Sequence, residues 1–150
     1  MRVPNSPVMD SPDPAACSGP GGPCCGTVGK PTMSDYIDRG LRRARSATLP
    51  IVGDARHDAG RFARFSLRVE RGVITGVAFD ASVCGTLVAY CVVAAESVTG
   101  LTIPAAARRM RSLDLTSALP LVPAYKRDLA LLASQALITT IVQATRETRV

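Results

Sequence analysis

Residues 62–100, FARFSLRVERGVITGVAFDASVCGTLVAYCVVAAESVTG, decide the fold. In the first part, apolar Phe65, Leu67 and Val69 alternate with Arg64, Ser66 and Arg68, a period of two that sets one face against a core and leaves the other basic. Glu70-Arg71-Gly72 interrupts the run as a turn. Val73, Thr75, Val77 and Phe79 resume it, so the two runs read as an antiparallel hairpin whose second strand closes at Asp80 and Ser82. The next 15 residues, 81–95, carry no charge. They are fewer than the roughly 20 that cross a bilayer, and Gly100 is placed to stop a helix. A buried helix covering the sheet is expected.

On both sides of this stretch the pattern is helical. Residues 34–47 place Tyr36, Ile37, Leu41 and Ala44 at helical spacing, with acids early and arginines late. Gly40 weakens that helix, and Pro50 ends the region. Beyond Gly100, Thr102 reads as an N-cap with Pro104 in the first turn and Arg108, Arg109 and Arg111 at the C-terminal end. Residues 127–146 form the last helix. Its uncharged part includes Ser134, Gln135, Thr139, Thr140 and Gln143, which argues for docking on a core and against membrane insertion. The order is helix, two or three strands, helix, short helix, long helix. It implies an α+β domain, a small antiparallel sheet of two or three strands with helices packed on one face.

A chain of 150 residues, 47% apolar and 20% charged, suffices for one domain. Residues 1–32 hold seven of the eleven Pro, five of the twelve Gly and three of the five Cys, with no hydrophobic period. They read as a disordered N-terminal extension ahead of a folded domain over 33–150, and one reading starts translation at Met33. The extension lacks the basic start and apolar run of a secretory signal, so the expected location is cytoplasmic, with reduced thiols. One His, no Trp and 4% aromatic residues leave little material for triad or His-cluster catalysis, so ordinary hydrolytic catalysis is not expected. The net charge of +6 is concentrated in residues 39–71, where nine Arg face Asp54, Asp58 and Glu70. Nucleic acid is disfavoured as the partner, because stacking aromatics and a recognition-helix pattern are missing. An acidic protein partner remains, met by the strand face of Arg64, Arg68 and Arg71.

Cys84 has the clearest chemical context. It stands where a strand hands over to a helix, so unpaired N–H groups and the positive helix end favour a thiolate, and Gly85 beside it would leave room for a ligand. The competing reading is a small buried apolar residue. Cys91, two turns further on and about 10 Å along the axis, is too far to share a metal and reads as core packing. Cys17, Cys24 and Cys25 lack metal-site spacing. His57 and Asp58 are competent metal ligands in a polar loop, and alone they decide nothing.

The segment 71–91 followed by Ser97-Val-Thr-Gly-Leu-Thr-Ile103 resembles the central motif of NifU/IscU-type iron–sulfur cluster assembly scaffolds, in which a GVI-x-x-A-x-F strand runs into a Cys-Gly helix start. Met33-Ser-Asp-Tyr-Ile-Asp-Arg-Gly-Leu41 is similar to the family's opening helix, and Leu132-Ala-Ser-Gln-Ala-Leu-Ile-Thr-Thr-Ile141 to its closing one. Val122-Pro-Ala-Tyr-Lys-Arg127 is similar to the approach to that closing helix in a divergent bacterial branch. The resemblance implies a SufE/NifU-like fold and a cysteine desulfurase and recipient apo-proteins as partners. It further implies iron or a transient [2Fe-2S] cluster as cargo, with zinc as an alternative. Of the three family cysteines only the second survives, as Cys84. The first, in a Cys-Gly-Asp motif, falls on Ala59-Gly60-Arg61, and the third falls near Asp128-Leu129. One thiolate does not hold a [2Fe-2S] unit. A homodimer, an outside thiol, or His57, Asp58 and Asp128 would have to complete it. Three expectations follow: a scaffold with an unusual ligand set, a sulfur carrier using Cys84 alone, or a degenerate paralogue serving as an interaction module.

Overall fold

The computed structural model describes residues 31–43 and 48–149. The expected disordered extension lies outside them except for Pro31 and Thr32, as do Cys17, Cys24, Cys25 and the part of the first helix expected over 44–47.

Helix α1 (Met33–Arg43) is started by a reciprocal cap. Thr32 Oγ1 accepts from the Asp35 amide at 3.2 Å, while Asp35 Oδ2 accepts from the Thr32 amide at 2.7 Å and from its hydroxyl at 2.8 Å. These bonds, the Thr32 amide first, hold the Asp35 carboxyl below the ordinary carboxylate range. The capping residue therefore precedes Met33, and a chain started at Met33 lacks it.

Four strands follow: β1 (Ile51–Val52), β2 (Arg56–Asp58), β3 (Arg61–Glu70) and β4 (Val73–Ala81). All pairings are antiparallel. β4 runs along one side of β3, and β1 and β2 pair in series with it, Ile51 opposite Leu67 and His57 opposite Phe62. The sheet thus has four strands where two or three were expected. β1 and β2 were missed because they are two and three residues long and β2 is exposed throughout, so neither carries a hydrophobic period. Both hairpins turn through a pair of residues with positive φ, Ala59 (49°) with Gly60 (78°) and Arg71 (53°) with Gly72 (78°), which matches the right-handed twist of the strands.

The expected alternation holds along β3, where Ala63, Phe65 and Leu67 are fully buried. In β4 it slips. A bulge between Arg68 and Val69 inserts Thr75, so Ile74 turns to the core with Phe79, and Val73 and Thr75 do not. The outer face is also less open than its pattern implies: the Leu49 amide donates to Ser66 Oγ at 3.1 Å, and Ser66 is buried.

Against the inner face pack α2 (Gly85–Val98) and α5 (Asp128–Thr148), followed in contact by α3 (Ile103–Ser112) and the single turn α4 (Leu115–Ala118), with a 3₁₀ turn at Ala124–Lys126. α2 is buried on nearly all sides, as its uncharged sequence predicts, because α1 packs along it in addition to the sheet and α5. That crossing is close. A Cβ on Gly40 would meet Val88 Cγ1, with Val92 Cγ2 at 3.0 Å, so the glycine that weakens α1 as a helix is what lets it seat. Residues 124–148 have the length and hydropathy of a membrane span, yet half of the most apolar window is buried against the rest of the fold. α3 begins as expected, with Thr102 Oγ1 accepting from the Ala105 amide at 3.3 Å.

Candidate functional site

One end of the sheet gathers most of the candidate residues. Across it, His57 on β2 faces Phe62 on β3, and Phe62 is tied to Ser82 twice: its amide donates to Ser82 Oγ at 2.8 Å, and its carbonyl accepts from the Ser82 amide at 3.0 Å. Two residues later comes Cys84. With strands about 4.8 Å apart, His57 and Ser82 stand about 10 Å apart across this row. The His57 ring lies 6.0 Å from the Phe62 ring, tilted 36°. His57 is thus on an edge strand and not in the loop expected for it.

Cys84 is the N-cap of α2, in extended conformation (φ −143°, ψ 114°). Its amide donates to the Ser82 carbonyl at 2.7 Å, and its carbonyl accepts from the Val88 amide at 2.9 Å, the first turn of the helix. The side chain is half-buried, and Val83 before it is fully exposed. The strand-to-helix position is as expected, but the sulfur takes no hydrogen bond from the α2 amides. An extended N-cap carries its side chain to the helix end without requiring it to accept from N2 or N3. Gly85, which is exposed, also has a packing role. A Cβ there would meet Ile37 Cδ1 at 3.0 Å, so the missing side chain admits α1.

Cys91 is fully buried on α2, and desolvation pushes its thiol far up, beyond use as a nucleophile or ligand at neutral pH. Core packing, as expected, is its role.

His57, Asp58 and Asp128 share a cavity of about 280 Å³ with Leu131, Leu132 and Gln135. Asp128 occupies the first turn of α5, where a carboxylate suits the positive helix end. Cys84 does not line that cavity, and among the described residues no three His, Cys, Asp or Glu side chains converge closely enough to hold a metal ion. The two positions expected to match lost cysteines differ in character. Ala59 is exposed at the tip of the β2–β3 turn, whereas Leu129 is a core residue, 5% exposed.

The basic strand face is partly neutralised. Arg64 lies 3.7 Å from Asp80 in an exposed ion pair, while Arg68 and Arg71 are exposed. A different basic feature lies between α3 and α5, lined by Arg108, Arg111, Arg146 and Arg149. Sequence showed only arginines near two helix ends. Their convergence depends on how two helices pack, which no local pattern encodes.

The NifU-like N-terminal domain profile matches residues 29–149. Among solved structures, a candidate iron–sulfur cluster assembly scaffold for the SUF system of Fervidobacterium islandicum is 18% identical, with a TM-score of 0.51 over 72% of this chain and 93% of that one. The N-terminal NifU-like protein of Brucella abortus is 22% identical, with a TM-score of 0.48 over 77% of this chain and 99% of that one. No curated protein matches the chain. The profile spans the capped α1, the four-stranded sheet and the packed helices, and the chain belongs to the NifU-like N-terminal domain family of non-catalytic iron–sulfur cluster assembly scaffolds.

Proposed function

We propose that this domain handles sulfur and iron for cluster assembly through Cys84, in the cytoplasm. The observation that supports this is a half-buried thiol at the exposed strand-to-helix junction, next to a fully exposed Val83 on which a partner can close. The donor is a cysteine desulfurase carrying a cysteine persulfide. The Cys84 thiolate attacks the terminal sulfur, the donor's S–S bond breaks, and its electron pair leaves on the donor cysteine as thiolate, so sulfur moves without net redox change. Iron is cargo delivered to the same thiol, and recipient apo-proteins take the product. Among the described residues a single chain brings one thiol to this end and no converging second ligand set, so a resident [2Fe-2S] unit would need ligands from a second copy or an outside thiol. His57, Asp58 and Asp128 are the auxiliary ligands within this chain, and zinc is the competing metal.

Anaerobic reconstitution with iron, sulfide and a desulfurase, run on wild type and Cys84→Ala, tests this. Uptake of sulfur and iron should drop to background in the variant, and equal uptake by both proteins refutes the proposal.

A second reading is a protein-interaction module that carries no cargo, docking through Arg64, Arg68 and Arg71. The absence of a three-ligand cluster among the described residues favours it. It predicts desulfurase capture that survives Cys84→Ala. Nucleic-acid binding through the same arginines would show a steep loss of affinity with salt.

A further inference from the structure

The groove between α3 and α5 encloses about 800 Å³, and it is remote from Cys84. It borders Gly72, at the opposite end of β4, about 26 Å along the strand. Its floor is apolar. Ile103 and Ile141 lie at the base, 6% and 2% exposed, while Ala107 and Val142 line it. A smaller pocket lined by Ala107, Arg111 and Ile138 extends the floor along α5.

Both banks carry arginines at the same spacing. Arg108 and Arg111 are three residues apart on α3, and Arg146 in the last turn of α5 is three residues from Arg149, the C-cap of that helix, a rise of about 4.5 Å in each case. All four are exposed, and among the described residues none has a carboxylate partner. Glu147, next to Arg146 in sequence, accepts instead from the Gln143 side chain at 2.9 Å. Four like charges around an apolar floor repel one another, and an incoming anionic group relieves that.

We propose that this groove docks an acidic amphipathic helix of a partner protein, apolar stripe down and carboxylates on both flanks. From Ile138 to Arg149 the floor spans about 16 Å, three helical turns. A helix with acids three or four residues apart on each side of its stripe meets both arginine banks at once, in the helix-in-groove mode. A flat lipid surface would touch the banks and leave the floor unfilled. Single-stranded nucleic acid would find no aromatic side chain to stack on, since the lining has none. This surface is independent of Cys84 and stands whether or not the thiol carries sulfur.

The test uses the full chain and a fluorescent synthetic peptide of about four helical turns, with Leu along one stripe and Glu on both flanks. Fluorescence anisotropy should show saturable binding that weakens with salt. It should fall by about tenfold or more in Arg108→Glu/Arg146→Glu and in a permuted peptide of equal composition without the stripe. Circular dichroism melts of the exposed-site variant should match wild type. Equal affinity for the permuted peptide, or for the charge-reversed protein, overturns the proposal. So does tighter association with phosphatidylserine vesicles or oligo-uridylate than with the peptide.

Discussion

Gly53, in the connection from β1 to β2, gives a sharp test of how the sheet edge meets α5. Its amide continues the ladder by donating to the Phe65 carbonyl at 3.0 Å. Its φ lies outside the left-handed region, so alanine is compatible with the backbone and only space is at issue. A Cβ at position 53 would meet Thr140 Oγ1, and it would lie 2.8 Å from both Cα and Cβ of Thr140. Carbon atoms settle at about 3.5–4.0 Å, so the strand connection and α5 would have to separate by about 0.7 Å or more. Overpacking by one methyl in a well-packed core costs about 1–3 kcal/mol. Because part of the obstruction is backbone, Gly53→Ala should fall near the upper end, about 3 kcal/mol. With a urea m-value of about 1.5 kcal/mol/M, the unfolding midpoint should drop by about 2 M. The double variant Gly53→Ala/Thr140→Ala is the decisive arm. It removes Oγ1 but leaves the helix backbone in the way of the new methyl, so rescue should be partial. A Gly53→Ala midpoint within about 0.3 M of wild type, or full rescue by Thr140→Ala, would show that the edge and α5 are not apposed as described.

Three other outcomes follow from single sites. Ala59 holds φ at 49° without the freedom of glycine, so Ala59→Gly should raise the urea midpoint, by about 0.5–1 kcal/mol in stability, and a drop would mean the turn is not of this type. The Tyr90 hydroxyl is buried on α2 with no hydrogen-bond partner among the described residues, so Tyr90→Phe should be neutral or stabilising by about 1 kcal/mol, and a loss of that size would reveal a partner. The carboxyls of Asp35 and Asp114 are both held below their ordinary value, Asp35 by the Thr32 amide first and Asp114 by the Thr116 hydroxyl first. Depressed folded-state values mean that their contribution is present above about pH 4 and lost as pH falls through the folded values. Melting temperature should therefore decline below about pH 4, less steeply in Asp35→Asn/Asp114→Asn. An unchanged slope would refute the assignment.

Sequence alone determined the long elements, because their patterns are local. The period of two in β3, the uncharged run of α2, the Thr102 cap and the long α5 are each written in residues that meet within one element. The bulge that turns Ile74 inward and the two short edge strands were decided by pairing across β3, which a strand of two or three residues does not announce. Gly40 read as a weak point in a helix, and Gly85 as room for a ligand. Both prove to be places where α1 approaches α2. Cys84 was legible as the site because a junction between two patterns marks it. That His57, Asp58 and Asp128 border one cavity without Cys84, and that four arginines ring an apolar groove, depends on the relative placement of α5, β2 and α3. Distances between separate elements come from the packing of many side chains at once, and for that reason only the tertiary structure held them.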